Sequence, residues 1–397
     1  MSSARRSATT LVTASAVLLI IACTNPSSAP PVKVPTPSPA STASLVATPV
    51  PPSPVSIAMP TPLTHFEPLS TTWISLTTGW VLGLAPCSAG GCVRLLKTDD
   101  SGRSWRLVPG TELPYPRTQH GVDQVRFADQ LNGWAFEPGL WATHDGGTTW
   151  IAQALPGVTT ITVLALETTG VVVSLAGINW DELGNGVSIY TTTTDSNNWE
   201  KESVEIGMGA GPVPRSQLLA THGVAWLLHV NRTIQGGARY PANGGWRSWS
   251  PPCSGTGPGL MAAADAQHVA ILCDEPVYYG GASVMHLYLS ADGGGTFARA
   301  GPDWPASTGM ALAMPQAGVL VSDGTDASSG DPSLVLTTNN GVGFRTVYRL
   351  PNGFVASFIG FTNSKQGVAV AGDGNESTLL QTFDGGYSWA PVSFPAI

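Results

Sequence analysis

The chain has 397 residues, of which 11% are charged and 42% hydrophobic, with 46 glycines and 33 prolines. That mix suits many short strands joined by turns, and no long helical period follows residue 22. The formal net charge is −8 with no basic run, so the surface repels nucleic acid and anionic headgroups, and no nucleic-acid partner is expected.

Residues 1–22 read as an export signal: Arg5 and Arg6, an apolar run from Leu11 to Ile21, then Ala22. The run is too short to span a bilayer. Ile20-Ile21-Ala22-Cys23 resembles a bacterial lipobox, in which Cys23 becomes the lipidated first residue; signal-peptidase cleavage beside an incidental Cys is the alternative. Loss of both leader arginines takes the net charge from −8 to −10. The expected location is the outer face of the cytoplasmic membrane, or an outer membrane where the host has one, with the lipid as sole membrane contact. Residues 23–64 follow as a linker. From residue 24 to 64 there are twelve prolines among 41 residues and one charge, Lys33, so no core can form and an extended tether is expected. At ~3.1 Å per residue it would reach on the order of 100 Å.

The region 65–397 is internally repetitive. Thr98 to Trp105 reads TDDSGRSW, Thr143 to Trp150 THDGGTTW, Ser290 to Phe297 SADGGGTF, Thr337 to Phe344 TTNNGVGF and Thr382 to Trp389 TFDGGYSW. All fit Ser/Thr-x-Asp/Asn-x-Gly-x-x-Trp/Phe. The physical reading is a tight hairpin corner: Asp100, Asp145, Asp292, Asn339 or Asp384 folds back onto its own backbone, Gly takes a conformation a Cβ forbids, and the ring packs beneath. Two decayed copies stay in phase, Asp195 to Trp199 without Gly and Asn243 to Trp249. Marker intervals from Asp100 to Asp384 are 45, 50, 48, 49, 47 and 45 residues. A period in the forties with strand-like segments predicts an all-β fold, a seven-bladed β-propeller of four-stranded antiparallel blades.

In chain order, blade one is expected to use Thr72–Leu76, Trp80–Leu84 and Val93–Lys97, and blade two Val122–Phe127, Gly133–Phe136 and Leu140–Thr143. Blade three uses Thr160–Leu166, Val171–Leu175 and Val187–Thr192. Blade four has Gln217–Ala220 and Val224–Val230 with a poorly defined third strand. Blade five has Met261–Ala264, Val269–Cys273 and Val284–Leu289, and blade six Met310–Met314, Val319–Val321 and Leu334–Thr337. Blade seven has Val355–Phe361, Gly367–Ala371, Leu379–Thr382 and Trp389–Phe394. Because the last repeat is complete, the ring is expected to close by packing, with an outer strand from around Phe66 as the alternative.

These corners, with Gly79-Trp80, Gly133-Trp134 and Gly367-Val368 each opening a second strand, resemble the Asp-box (BNR) repeat superfamily. The YCF48-like form, named for photosystem-II assembly factors, is more similar than the sialidase form. The resemblance implies the propeller fold and leaves function open, since the superfamily includes hydrolases, assembly factors and binding modules. Sialidases carry an arginine triad and usually an Arg-Ile-Pro motif, which this chain lacks.

If Cys23 takes the lipid, four cysteines remain in an oxidising compartment. Cys87–Cys92 and Cys253–Cys273 are the favoured pairs, the second closing about 20 residues at on the order of 3 kcal/mol. Neither a metal-ligand spacing, a catalytic string nor a cofactor fingerprint is present, so no metal and no cofactor is expected. If the corners join strands three and four, the second-to-third-strand loops and inter-blade links share the other face. There Trp180, Asp181 and Glu182, with Tyr278 and Tyr279, combine acids and rings suited to sugars or peptides; solvated loops are the plain alternative. Arg117 and Arg215, in two Pro-Arg-Ser/Thr-Gln strings, are expected at the starts of inner strands and could join Arg126 in binding a carboxylate, with shared ancestry as the plain alternative. The functional expectation is a non-catalytic envelope lipoprotein that binds a protein or glycan through its loop-rich face. The alternative is an extracellular glycoside hydrolase.

Overall fold

The protein, in a computed structural model, is described over residues 66–87, 91–116, 118–180, 186–209, 214–221, 223–255, 257–276, 283–304 and 311–395. Among these residues seven antiparallel sheets of four strands follow one another along the chain, and no α-helix occurs. The first strands of the sheets are β1 (Glu67–Trp73), β5 (Val122–Phe127), β9 (Ile161–Thr168), β13 (Arg215–Thr221), β17 (Gly259–Ala263), β21 (Leu312–Gln316) and β25 (Val355–Phe361). All seven line one central channel, so each sheet is a blade and the fold is a seven-bladed β-propeller.

The core is divided among the blade–blade interfaces. Seven buried apolar clusters each join one blade to the next, and the last joins blade seven to blade one. Among the described residues no strand crosses between sheets, so the ring closes by side-chain packing, as the complete seventh repeat implied. Phe66 meets Phe394 with ring centroids 4.8 Å apart, and the Ser377 hydroxyl donates to the Pro68 carbonyl at 2.8 Å. The chain after Phe66 is therefore an innermost strand of blade one, not an outer strand of blade seven.

The Gly that opens several second strands has a packing cause. Trp73 stands opposite Gly79, Phe127 opposite Gly133 and Phe361 opposite Gly367. A Cβ on those glycines would lie 2.5–2.6 Å from the facing ring. The ring fills the space that any other residue would need. Trp80 in turn stacks on Phe127 of the next blade at 4.0 Å, almost parallel, tying blade one to blade two.

Some boundaries differ from expectation. β1 ends at Trp73 because the Ser75 hydroxyl accepts the N–H groups of Thr77 and Thr78 and starts the turn there. The weak third strand of blade four is the eight-residue β15 (Thr233–Tyr240), whose central Gly236-Gly237 hides it from propensity. The last described strand, β28 (Ala390–Pro391), is two residues long, since Pro391 lacks an N–H to continue the ladder.

Candidate functional site

Strand alternation fixes two faces. First-to-second turns and third-to-fourth corners emerge on one side, called the corner face; second-to-third loops and inter-blade links emerge on the other, the loop face. On the corner face, the threonine or Ser290 of each full repeat bonds the Asp or Asn two residues on, as in Thr98 Oγ1 to Asp100 Oδ1 at 2.8 Å. Asp100 then accepts the Ser104 N–H at 2.9 Å and its hydroxyl at 2.5 Å, while Trp105 Nε1 donates to the Gly102 carbonyl at 3.1 Å. Asp145, Asp292 and Asp384 repeat the carboxylate bonds, and Asn339 keeps those its single oxygen allows. Hydrogen bonds from Ser104 hold Asp100 down to about 2, and those from Thr296 and Ser290 hold Asp292 at about 2. Burial pushes Asp145 and Asp384 up, but bonds from Thr149 and Ser388 outweigh it and both end low. Groups held ionised by their own turn are turn scaffolds, poor proton carriers near neutrality.

The central channel holds a cavity of about 340 Å³ toward the corner-face ends of the inner strands. Arg126 and Glu167 meet in it, Nε to Oε1 at 2.5 Å, with side chains 15% and 22% exposed. The guanidinium also lies 5.3 Å from the Phe358 ring centre. This arginine is on the channel wall, and its charge is already matched by a carboxylate from blade three.

A second charged group lies nearer the loop face. The register pairs Val122 with Pro138 and Gln124 with Phe136 between β5 and β6 (Gly133–Pro138), which sets Asp123 opposite Glu137. Such cross-strand neighbours have Cβ atoms about 5 Å apart. Burial raises Asp123 to about 6. Burial and the Asp123 charge raise Glu137 to about 8, against the pull of Arg126 and Arg215. Glu137 is also held at φ +70°, a conformation that strains a residue with a Cβ. Arg215 is the first residue of β13, exposed, near enough to act on Glu137 and engaged in an interaction of its own. On the same blade, the Ser216 hydroxyl lies 3.0 Å from His229 Nδ1, and burial lowers the pKa of that imidazole.

The remaining expected residues divide. Trp180 directly follows β10 (Val172–Asn179) on the loop face, 40% exposed, its indole N–H donating to Thr162 at 2.8 Å. Cys23, Arg117, Asp181, Glu182, Tyr278 and Tyr279 lie outside the described residues. The two Pro-Arg strings do not share a register: Arg215 lies inside β13, whereas β5 begins five residues after position 117. Both disulfides form, with Cα separations of 5.8 Å for Cys87–Cys92 and 6.4 Å for Cys253–Cys273, the latter joining the chain after blade four to the second strand of blade five. Among the described residues no group of three His, Cys, Asp or Glu could hold a metal ion. Asp123, Glu137 and Glu167 were missed because each sits singly in an ordinary strand; only the cross-strand register brings Asp123 to Glu137.

The fold and these two faces define a seven-bladed propeller with a paired-charge channel. No protein-family model matches the sequence, and no curated protein does. Among solved structures it is similar to YCF48 from Cyanidioschyzon merolae, at 15% identity and TM-score 0.51 over 81% of this chain and 96% of that one. The β-propeller domain of the Trilobed protease from Pyrococcus furiosus matches at 8% identity and TM-score 0.51, covering 83% and 96%. A GH74 enzyme from Niastella koreensis matches at 12% and TM-score 0.41, covering 83% and 66%. At these identities the likeness to the first two is one of fold alone.

Proposed function

We propose that this is an exported propeller, anchored through a lipid on Cys23 and a proline-rich tether, that recognises a protein or glycan at the cell envelope through its loop face. The observation that carries the reading is the Arg126–Glu167 ion pair. An arginine on the channel wall that is already paired is not free to clamp a substrate anion, and Arg215 sits at the far end of its own strand instead of beside it. Trp180 supplies an exposed, hydrogen-bonded ring of the kind that anchors partners on such a face. In this reading the rigid ring presents loops, and the tether lets them reach. The repeated corners, of the Asp-box kind, act as scaffolding.

A photocrosslinking amino acid at position 180 tests it against the same group at Phe383, which is 56% exposed in a corner. In the native host, adducts of one discrete mass are expected from position 180 and not from position 383; the reverse pattern would refute loop-face recognition. Cys23→Ser should move the protein from the membrane to the soluble fraction.

One observation favours a second reading. Asp123 and Glu137 are an adjacent carboxyl pair whose environments hold Glu137 protonated near neutrality, a pattern that general acid catalysis on glycosides uses. Release of nitrophenol from aryl-glycosides that disappears in Glu137→Gln would establish it.

A further inference from the structure

The corner face carries a second concavity, away from the channel. A groove of about 360 Å³ opens between blades three and four. Thr191 and Thr193 of β11 (Val187–Thr193), Asn198 of the blade-three corner, Glu200 and Glu202 of β12 (Glu200–Ile206), and Tyr240 of β15 line it.

Its origin can be read from the glycines. In blades two, six and seven, a Cβ on the second corner glycine (Gly147, Gly341, Gly386) would come within 2.4–2.9 Å of a side chain of the preceding blade. Those corners nest into their neighbours. In the altered corner of blade four, Gly245 directly precedes the ring of Trp246 and borders the groove; it is also at positive φ, and a Cβ there would meet nothing within 4 Å. The shortened corner of blade four stands off from blade three, and the gap is the groove.

The chemistry of the walls is selective. Alternation along β12 turns Glu200 and Glu202 to the side of Val204 and Ile206, which pack on blade four, while Lys201 turns away and pairs with Glu205 at 3.1 Å. Among the described residues no lysine or arginine lines the groove. Thr191 donates to Glu202 at 2.9 Å and so fixes the position of that carboxylate before any ligand arrives. Tyr240 adds an aromatic ring, itself 5.8 Å from that of Trp246.

We propose that this groove is a saccharide-binding site for a neutral or amino-sugar unit. Sugar hydroxyls would exchange hydrogen bonds with the threonines and Asn198, the carboxylates would accept from hydroxyls or an ammonium, and Tyr240 would offer a ring to the apolar face of the sugar. The volume sits in the lower part of the ~300–1,000 Å³ range of ligand pockets and suits one or two rings. Anionic sugars are excluded by two carboxylates with no facing cation. The site lies on the face opposite the loop face and stands independently of it.

The test is calorimetric titration of the full chain with cellotriose, chitotriose, a glucosamine trimer and 3′-sialyllactose. At least one of the first three should bind and sialyllactose should not. The exposed-residue variants Glu200→Gln and Asn198→Ala, which leave the fold untouched, should each weaken binding about tenfold, and Tyr240→Ala should do at least as much. Arg215→Ala, on the loop face, should change nothing, which keeps failure here distinct from failure of loop-face recognition. Absence of binding by all three uncharged or amino sugars, equal binding of sialyllactose, or unchanged affinity in both Glu200→Gln and Asn198→Ala would overturn the proposal.

Discussion

The corners of blades one, two and seven and those of blades three and four began from one pattern and now differ in what they hold. In the first group a threonine, an acid, a glycine and a tryptophan close a set of bonds, ending with the indole N–H on the glycine carbonyl: Trp105 to Gly102, Trp150 to Gly147 and Trp389 to Gly386, at 2.9–3.1 Å. In the second group the ring persists and stays buried, although in blade four it is Trp246 that fills the place between blades three and four and not the Trp249 expected from the spacing, and the indole nitrogens of Trp199 and Trp246 have no partner. Blade five shows an intermediate solution. Its corner ring is Phe297, and the Gly294 carbonyl accepts instead from Trp249 of blade four at 2.7 Å. The comparison separates two duties of the corner. Packing of the ring holds the blade together and is kept in every blade, with the ring buried at Trp105, Trp199, Trp246 and Trp389 and half-buried at Trp150, Phe297 and Phe344. The bonds around the acid and glycine hold the corner against its neighbour, and where they are lost a groove opens.

The largest effect tests the kept duty. Trp389→Ala should cost about 4 kcal/mol in chemical denaturation, and Trp199→Ala a similar amount despite its decayed corner, because both rings are buried. A small loss at Trp199 would show that its blade does not depend on the ring. Next comes the staple after blade four. Removing Cys253–Cys273 by a double Ser substitution should cost about 3 kcal/mol, against about 2 for Cys87–Cys92, as loop-closure entropy scales.

The glycines sharpen the second duty. Gly147→Ala should cost about 2–3 kcal/mol, from positive φ plus the Leu95 methyl 2.4 Å from the new Cβ, and its melting temperature should report it. Gly245→Ala should cost only the backbone part, about 1 kcal/mol. Trp150→Phe should then lose about 1 kcal/mol with its hydrogen bond, whereas Trp199→Phe should be neutral or stabilising, since it removes an unpartnered N–H.

The smallest effects are in pH dependence, and their signs are opposite. Asp292, held at about 2, contributes stability above the ordinary carboxylate range that is lost as pH falls through about 4 toward 2. Asp292→Asn should flatten that acid limb. Glu137, raised to about 8, contributes stability at low pH that is lost as pH rises toward and through about 8. Glu137→Gln should therefore raise the melting temperature at pH 9 and leave it unchanged at pH 4.

The blades and their number were legible because a corner needs the same residues wherever it recurs: Gly102, Gly147, Gly294, Gly341 and Gly386 all lie at φ between +80° and +96°, where only glycine is at ease. The Gly-Trp signal was legible for the same kind of reason, as an aromatic ring occupies the missing Cβ. The charged groups were not. Glu167 and Arg126 are 41 residues apart and meet only because blades two and three face one channel. Asp123 and Glu137 meet only through register. The groove was hidden too, since it results from contacts that blade four fails to make, and a decayed motif reads as noise until its neighbours are in place.

The most direct measurement of the corner account is hydrogen exchange at the tryptophan indoles, followed by NMR on the folded chain. The indole protons of Trp105, Trp150 and Trp389 should exchange slowly and together, near the rate of global opening, while those of Trp199 and Trp246 exchange faster by local opening beside the groove. Equal protection of all five would contradict the division between retained and relaxed corners on which the account stands.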